Sequence, residues 1–261
     1  MSTNDWFPEN IDPATYDPVR SARGAMKTTL PKRFYKEASV SESEHGFQLL
    51  LDGRPARTPA RNPLALPTFT AAELLAAEWA AQEQEINPAA MPITRIAHVA
   101  LDHVANKMAE VSADIAKYAG SDLLFYRAEE PQRLVERQKE LWDPVLRWIE
   151  ERFDAPFRTS NGIVFVSQPA DSIARIEATI AEIKSPAALA ALHVMTTLTG
   201  SILLALAVAH RQIDVDAAFT AAELDADTQR ELWGADAEAV AARANRDRDN
   251  QAAAALYLAL S

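Results

Sequence analysis

Residues 186 to 209 (PAALAALHVMTTLTGSILLALAVA) contain no Asp, Glu, Lys or Arg. A run of that length can span a bilayer, so the chain must either cross a membrane or bury the run inside a core large enough to surround it. Its content favours the core. His193, Thr196, Thr197, Thr199 and Ser201 lie in its middle, many of its apolar residues are merely alanine, and Gly200-Ser201 marks a kink or break between two shorter helices. Helices apolar on every side are spans or core helices; the reading here is a buried helical hairpin or kinked helix at the centre of a water-soluble domain. The chain has 261 residues, which corresponds to one large or two medium domains. A chain of that size buries roughly 70 to 75% of its unfolded surface without covalent staples.

Composition narrows the functional classes. Lys and Arg number 26 against 37 Asp and Glu, a net charge of −11, with a pI near 5.0. This balance argues against a nucleic-acid or anionic-membrane partner. The absence of cysteine excludes disulfides, thiolate metal sites and cysteine nucleophiles. There is no GxxxxGK[ST], GxGxxG, GxSxG or HExxH, so no phosphate loop, dinucleotide fingerprint, nucleophile elbow or zinc signature is present. No cofactor and no metal are expected. The N-terminus, MSTNDWFPENIDPATYDPV, carries acids and prolines and no apolar stretch; it reads as neither a secretory signal nor a transit peptide. A cytoplasmic protein is expected.

The hydrophobic period changes along the chain. KRFYKEASV (32 to 40) and GFQLLLDG (46 to 53) are β-rich runs that read as a hairpin, followed by an Asp52-Gly53 turn. RPARTPA (54 to 60) is confined to an edge by Pro55 and Pro59. Arg54 is placed to pair with a nearby carboxylate. From Thr70 the period becomes about 3.6: Leu74, Leu75, Trp79 and Ile86 share one side of a helix, with Thr70 as N-cap and Glu73 completing a capping box. Further helices are expected over 92 to 107, 111 to 119 and 131 to 153, the last bent or broken at Pro144 with Asp143 capping its restart. Residues 161 to 167 read as a buried strand that joins the N-terminal sheet. Helices then follow at 171 to 184, 186 to 198, 200 to 212, 215 to 232 and 235 to 258. The expected fold is α+β: a small N-terminal domain containing a β-sheet, followed by a mainly α-helical C-terminal domain. The corresponding boundaries are an irregular arm over 1–29, a small α+β domain over 30–110 and a helical domain over 111–261.

Chemistry-bearing residues are few. Asp102 lies four residues after His98, so an Asp–His pair on one helical face is conceivable, though a plain hydrogen bond explains it as well. His193, alone in the apolar run, reads as a satisfied core histidine. The RDRD run at 246 to 249 reads as an exposed charged face, and Trp79, Trp142, Trp148 and Trp233 as core or interface packing. Trp79 is assigned to the core.

Taken together, RFYK (33 to 36), LDGRPARTP (51 to 59), LALPT (64 to 68), AAEWAAQ (76 to 82), INPAAMPITRIA (86 to 97), SDLLFYRA (121 to 128), WDP (142 to 144) and ELWG (231 to 234) form a pattern. It resembles the assembly chaperones that hold the free alpha subunit of the F(1) sector of ATP synthase. The resemblance runs from about residue 30 to the C-terminus. It implies the same two-part fold, no catalysis, no bound nucleotide, and the alpha subunit of F(1)-ATPase as partner. Since a mitochondrial member should carry a transit peptide, the acidic N-terminus points to a bacterial member; no membrane insertion is expected, and a monomer when free. The partner-binding surface is expected on the C-terminal helices around Asp225, Glu231 and Trp233, where acidic residues flank a tryptophan next to the helix-ending Gly234. The competing reading places Trp233 in the core with Glu231 merely solvated. Two other functional readings stay open: a small-molecule enzyme using His98, Asp102 or clustered carboxylates in a cleft between the two parts, and a peripheral membrane protein using residues 186 to 209.

Overall fold

Alternating side chains build the first layer. In the computed structural model, which describes residues 30–162, 164–234 and 236–261, β1 (Ala38–Ser43) and β2 (Gly46–Leu51) pair antiparallel with Val40 opposite Leu49. The arm expected over 1–29 lies outside the described residues. Gly46 turns this hairpin at φ +102°, and a Cβ there would meet the Leu66 carbonyl oxygen at 2.6 Å, so only glycine fits. β3 (Arg54–Pro55) and β4 (Ala65–Leu66) both pair with β2. Asp52 holds the adjoining turn by accepting the Lys36 and Glu37 amides at 2.9 Å each. Its carboxylate is thus taken by backbone rather than by Arg54, and those bonds hold its pKa below the usual range.

Helix α1 (Phe69–Ala80) covers the sheet with Ala72, Leu75 and Ala76. Its N-cap is Thr68, which accepts the Ala71 amide at 3.3 Å, so the expected capping box at Thr70 and Glu73 does not form. The helix starts two residues early because the Thr68 hydroxyl also donates to the Ala259 carbonyl at 2.7 Å, a contact made only by the fold. Trp79 is half-buried rather than in the core: its neighbour Tyr35 is buried in its place and donates its hydroxyl to the Trp79 carbonyl at 2.7 Å. Glu78 joins α1 to α2 (Pro92–Asp102), accepting the Ile93 and Thr94 amides at 2.7 Å each. A carboxylate on those free N–H groups stabilises the start of α2.

The uncharged run is two helices, α6 (Pro186–Thr199) and α7 (Ile202–Ala209), broken as expected at Gly200-Ser201. Gly200 adopts the left-handed conformation at φ 67°, and Ser201 restarts the chain by accepting the Leu204 amide at 3.0 Å. The hydroxyls of Thr196 and Thr199 are satisfied on the Leu192 and Met195 carbonyls four residues back. Leu189, Leu192, Met195 and nearly every residue of α7 are buried. No helix among the described residues is long and apolar enough to cross a membrane.

Around this centre pack α3 (Met108–Ala116), α4 (Gln132–Phe153), α5 (Ala170–Ala181), α8 (Val215–Ala222), α9 (Leu224–Trp233) and α10 (Ala237–Leu260). The last of these runs back along α6 and α2 to α1, and one apolar cluster extends from Tyr35 to Leu256. The α+β layout matches the expectation. Two further local expectations fail. Helix α4 runs unbroken through Pro144; Trp142, Val145 and Ile149 are buried along one face on both sides of the proline, and this packing outweighs one lost backbone bond. Asp143 therefore caps nothing and pairs with Arg127 at 2.8 Å. The strand expected over 161 to 167 is the short β6 (Ser160–Asn161), parallel to β5 (Tyr126–Arg127). It does not join the N-terminal sheet but forms a separate two-stranded pair with β5, and Val164 and Phe165 are exposed rather than buried.

Asp122 clamps the centre. Fully buried, it accepts the Leu124 amide at 3.1 Å and the Leu203 amide at 3.2 Å, with further bonds from Ser201 and the Ile202 amide at the start of α7. Burial pushes its carboxyl up to about 6 even though these bonds favour the charged form. The folded state therefore holds this proton more tightly than the unfolded chain, where an aspartate titrates near about 4. The stability it adds is present below about pH 4 and lost as the pH rises through about 6. Relative to Asp122→Asn, the unaltered chain should gain on the order of 2 to 3 kcal/mol between pH 7 and pH 4, read from urea unfolding at each pH. Trp142 is fully buried and donates its indole N–H to the Ala221 carbonyl at 2.9 Å. Trp142→Ala should cost about 3 to 5 kcal/mol in the same assay.

Candidate partner-binding surface

Helix α9 is tethered on one side to α4. Asp225, near its start, accepts the Gln138 side-chain amide at 2.8 Å, and the oxygen of that amide in turn accepts the Ala128 N–H at 2.8 Å. Glu231, two turns on, pairs with Arg133 at 3.2 Å and Arg137 at 3.3 Å. Both acids thus reach the same neighbouring helix, α4.

On its other side α9 is tied to α10 by a denser network. Glu223 is buried at 2% exposure and lies within ion-pair distance of Arg230, Arg243 and Arg246. Asp227 meets Arg230 and Arg243, the latter bidentate at 3.1 Å to each oxygen. Burial raises the Asp227 carboxyl, but the bonds from Arg243 and Arg230 outweigh it and hold the group below the ordinary aspartate value. The same contact with Asp227 raises the Arg230 guanidinium. Two acids shared among three arginines fix the angle between the helices while leaving few charges unpaired.

The tethers leave the end of α9 protruding. Trp233 is 85% exposed, Leu232 63% and Val240, across the turn at Gly234, 54%. This overturns the reading that places Trp233 in the core. Leu232 and Trp233 are consecutive exposed apolar side chains at the end of α9, and Val240 is exposed near the start of α10; large exposed apolar side chains of this kind mark candidate contact surface. The sequence-expected trio divides accordingly: Asp225 and Glu231 hold the helix and Trp233 offers the apolar surface. Sequence reasoning missed Leu232, Val240, Glu223 and Asp227. The signal for the acids was present in the arginine spacing of α10, read only as an exposed charged face; Arg246 instead reaches buried Glu223, and Asp249 pairs with Arg95 at 2.8 Å.

The other candidate residues do not assemble a reactive site. The carboxylate of Asp102 accepts from the Thr58 hydroxyl, the Ala60 amide and the Asn62 side chain, pinning the loop before β4. The His98 Nε2 is buried without a hydrogen-bond partner, and burial lowers its pKa, so no Asp–His hydrogen bond forms. His193 is not a core histidine: its side chain is about one-third exposed and its Nε2 lies 3.4 Å from Asp114. It lines an open apolar groove with Ile96, Val99 and Val194. Among the described residues no group of three or more His, Cys, Asp or Glu could hold a metal ion.

Residues 32–150 match the family model described as ATP12 chaperone protein. Among solved structures, the Atu1473 protein of Agrobacterium tumefaciens is 43% identical, with 95% of this chain and 93% of that one covered and a TM-score of 0.85. Atp12 from Paracoccus denitrificans is 38% identical over 88% of this chain and 99% of its own, with a TM-score of 0.82. A point mutant of the Paracoccus protein matches at 37% identity, also with a TM-score of 0.82.

The two tethers should differ in energetic weight. Removing buried Glu223 as Glu223→Ala strands arginines that share it and should cost about 3 kcal/mol or more. Glu231→Ala, at a more exposed site, should cost less than about 1 kcal/mol. Paired thermal and urea unfolding of the two variants checks the contrast.

Proposed function

The chain belongs to the ATP12 chaperone family and so is an assembly chaperone of ATP synthase; on that premise we propose that it holds the free alpha subunit of the F(1) sector and passes it to the beta subunit. The observation that carries this reading is the exposure of Leu232 and Trp233 at the end of α9, with Val240 exposed near the start of α10. An alpha subunit lacking its beta partner exposes apolar surface that self-associates. A protein that covers that surface without chemistry must bind reversibly and be displaced by a tighter partner, so its affinity is moderate by design. Trp233 supplies a rigid aromatic anchor at little entropic cost, and the paired charges of Glu231, Arg133 and Arg137 set which surfaces are admitted. We read the protein as non-catalytic and as acting in the bacterial cytoplasm, by analogy with bacterial relatives.

Size exclusion with light scattering, on this chain mixed with the isolated alpha subunit, tests the proposal. The expected result is a one-to-one complex that dissolves when beta subunit is added. Trp233→Ala should weaken the complex by about tenfold or more while leaving the melting temperature unchanged, because its side chain contributes almost nothing to the core. Glu231→Lys should weaken it too by putting a cation against Arg133 and Arg137. If alpha elutes alone or aggregates to the same extent with and without the chain, the reading is wrong.

A further inference from the structure

A hollow of about 460 Å³ opens beside the N-terminal sheet between Phe34, Pro55 and Trp79, with Arg54 and Arg57 in its lining. We propose that it is the docking site for the chain's own N-terminal arm and takes the acidic, aromatic and proline-bearing stretch of residues 5–17, DWFPENIDPATYD. Three observations carry the proposal.

The first is unpaired charge. In a chain of net charge −11, residues 32–61 carry six Lys and Arg against four Asp and Glu. Among the described residues, none of Arg33, Lys36, Arg54 and Arg57 lies within ion-pair distance of a carboxylate. Arg54 and Arg57 are exposed, and Arg57 gives one N–H to the Arg61 carbonyl at 2.8 Å. Asp52 is the one carboxylate in the described lining; the Glu37 and Lys36 amides hold it first, and the charges of Lys36 and Arg33 add to them. The rim therefore keeps a cationic excess and favours a segment that brings carboxylates. The arm brings Asp5, Glu9, Asp12 and Asp17, with no Lys or Arg before Arg20.

The second is the aromatic lining. Phe34 is 72% exposed and meets Tyr35 edge-on with ring centres 5.3 Å apart, and Tyr35 tilts against Trp79 at 5.6 Å. Tyr35 and Leu51 are buried beneath them. Aromatic-lined hollows take extended proline-bearing segments, whose restricted backbone costs little entropy to order. The arm carries Pro8 and Pro13, with Pro18 just beyond, and each disfavours helix at the residue before it. Trp6, Phe7 and Tyr16 are the side chains suited to cover Phe34.

The third is reach. Leu30 precedes Phe34 by four residues and so lies within about 14 Å of it. The backbone between them is pinned, with the Ile86 amide donating to the Pro31 carbonyl at 2.8 Å and the Arg33 amide to the Gln84 carbonyl at 2.9 Å. The twelve residues between Asp17 and Leu30 span up to about 40 Å, which is ample for residues 5–17 to lie across the hollow. A segment tethered this close has an effective concentration on the order of millimolar. A second copy would compete against that and against the repulsion between two acidic chains.

Hydrogen–deuterium exchange on the full chain, read by mass spectrometry, tests this. The reference is a synthetic peptide of residues 1–20, which supplies the unprotected rate. Amides of residues 5–17 should exchange about tenfold or more slowly in the chain than in the peptide. The double variant Arg54→Glu with Arg57→Glu should lose that protection by about threefold or more while keeping the wild-type melting temperature, since both side chains are exposed. Asp12→Lys with Asp17→Lys should lose it likewise, and decides alone should the arginine variant fail to fold. Exchange of residues 5–17 at the peptide rate in the unaltered chain overturns the proposal. So does protection that both charge reversals leave unchanged, because the arm would then be held elsewhere. Protection that grows with protein concentration alongside a dimer in light scattering would give the hollow to the arm of a second copy and also overturn it.

Discussion

The fold depends on burying an uncharged run too long for one core helix, and Asp122 is what makes its interruption possible. Breaking the run at Gly200-Ser201 exposes backbone amides at the start of α7 in the driest part of the protein, where each unpaired N–H is costly. Asp122 accepts those amides and that of Leu124 at once. The carboxylate resists ionisation there, yet it satisfies the helix start that lets α6 and α7 turn against each other. The other helices then assemble around a centre without loose backbone groups.

The same economy of polar groups shapes the surface. Glu223 and Asp227 gather the arginines of α9 and α10, while Asp225 and Glu231 reach to α4. Helix α9 is thereby held from two sides, and its last residues stand clear of the core. An exposed tryptophan is useful for recognition only if its backbone is rigid, since ordering a mobile anchor on binding costs affinity. The charged tethers supply that rigidity. The acids flanking Trp233 in the sequence position the helix, and the apolar side chains beside them are left exposed.

Some of this was legible before any coordinates. The break at Gly200-Ser201, the hairpin around Gly46 and the helical ends at Phe153 and near Leu260 follow from local signals: glycine freedom, alternation and period. Pro144 shows the limit of such signals. A proline inside a helix loses one hydrogen bond, but Trp142, Val145 and Ile149 bury enough apolar surface to keep α4 continuous. Thr70 and Thr68 are both reasonable caps by sequence; the contact of Thr68 with Ala259 selects between them. His193 looked like a core residue because its neighbours in sequence are apolar, whereas its own direction on α6 takes it to Asp114 and the groove.

The sequence by itself determined most of the helices and their order, the class of fold and, through a scattered set of short motifs, the family. These depend on interactions within a few residues of one another, or on a pattern that needs no geometry. Only the tertiary structure decided which acids are tethers, which tryptophan is buried and which is exposed, and where an apolar groove opens. Trp142 and Trp233 have the same side chain; one is fully buried under Ala221 and the other is 85% exposed. That difference is set by which helices pack across each position, a matter of contacts between residues far apart in the chain, and the periodicity of a single segment carries no record of them.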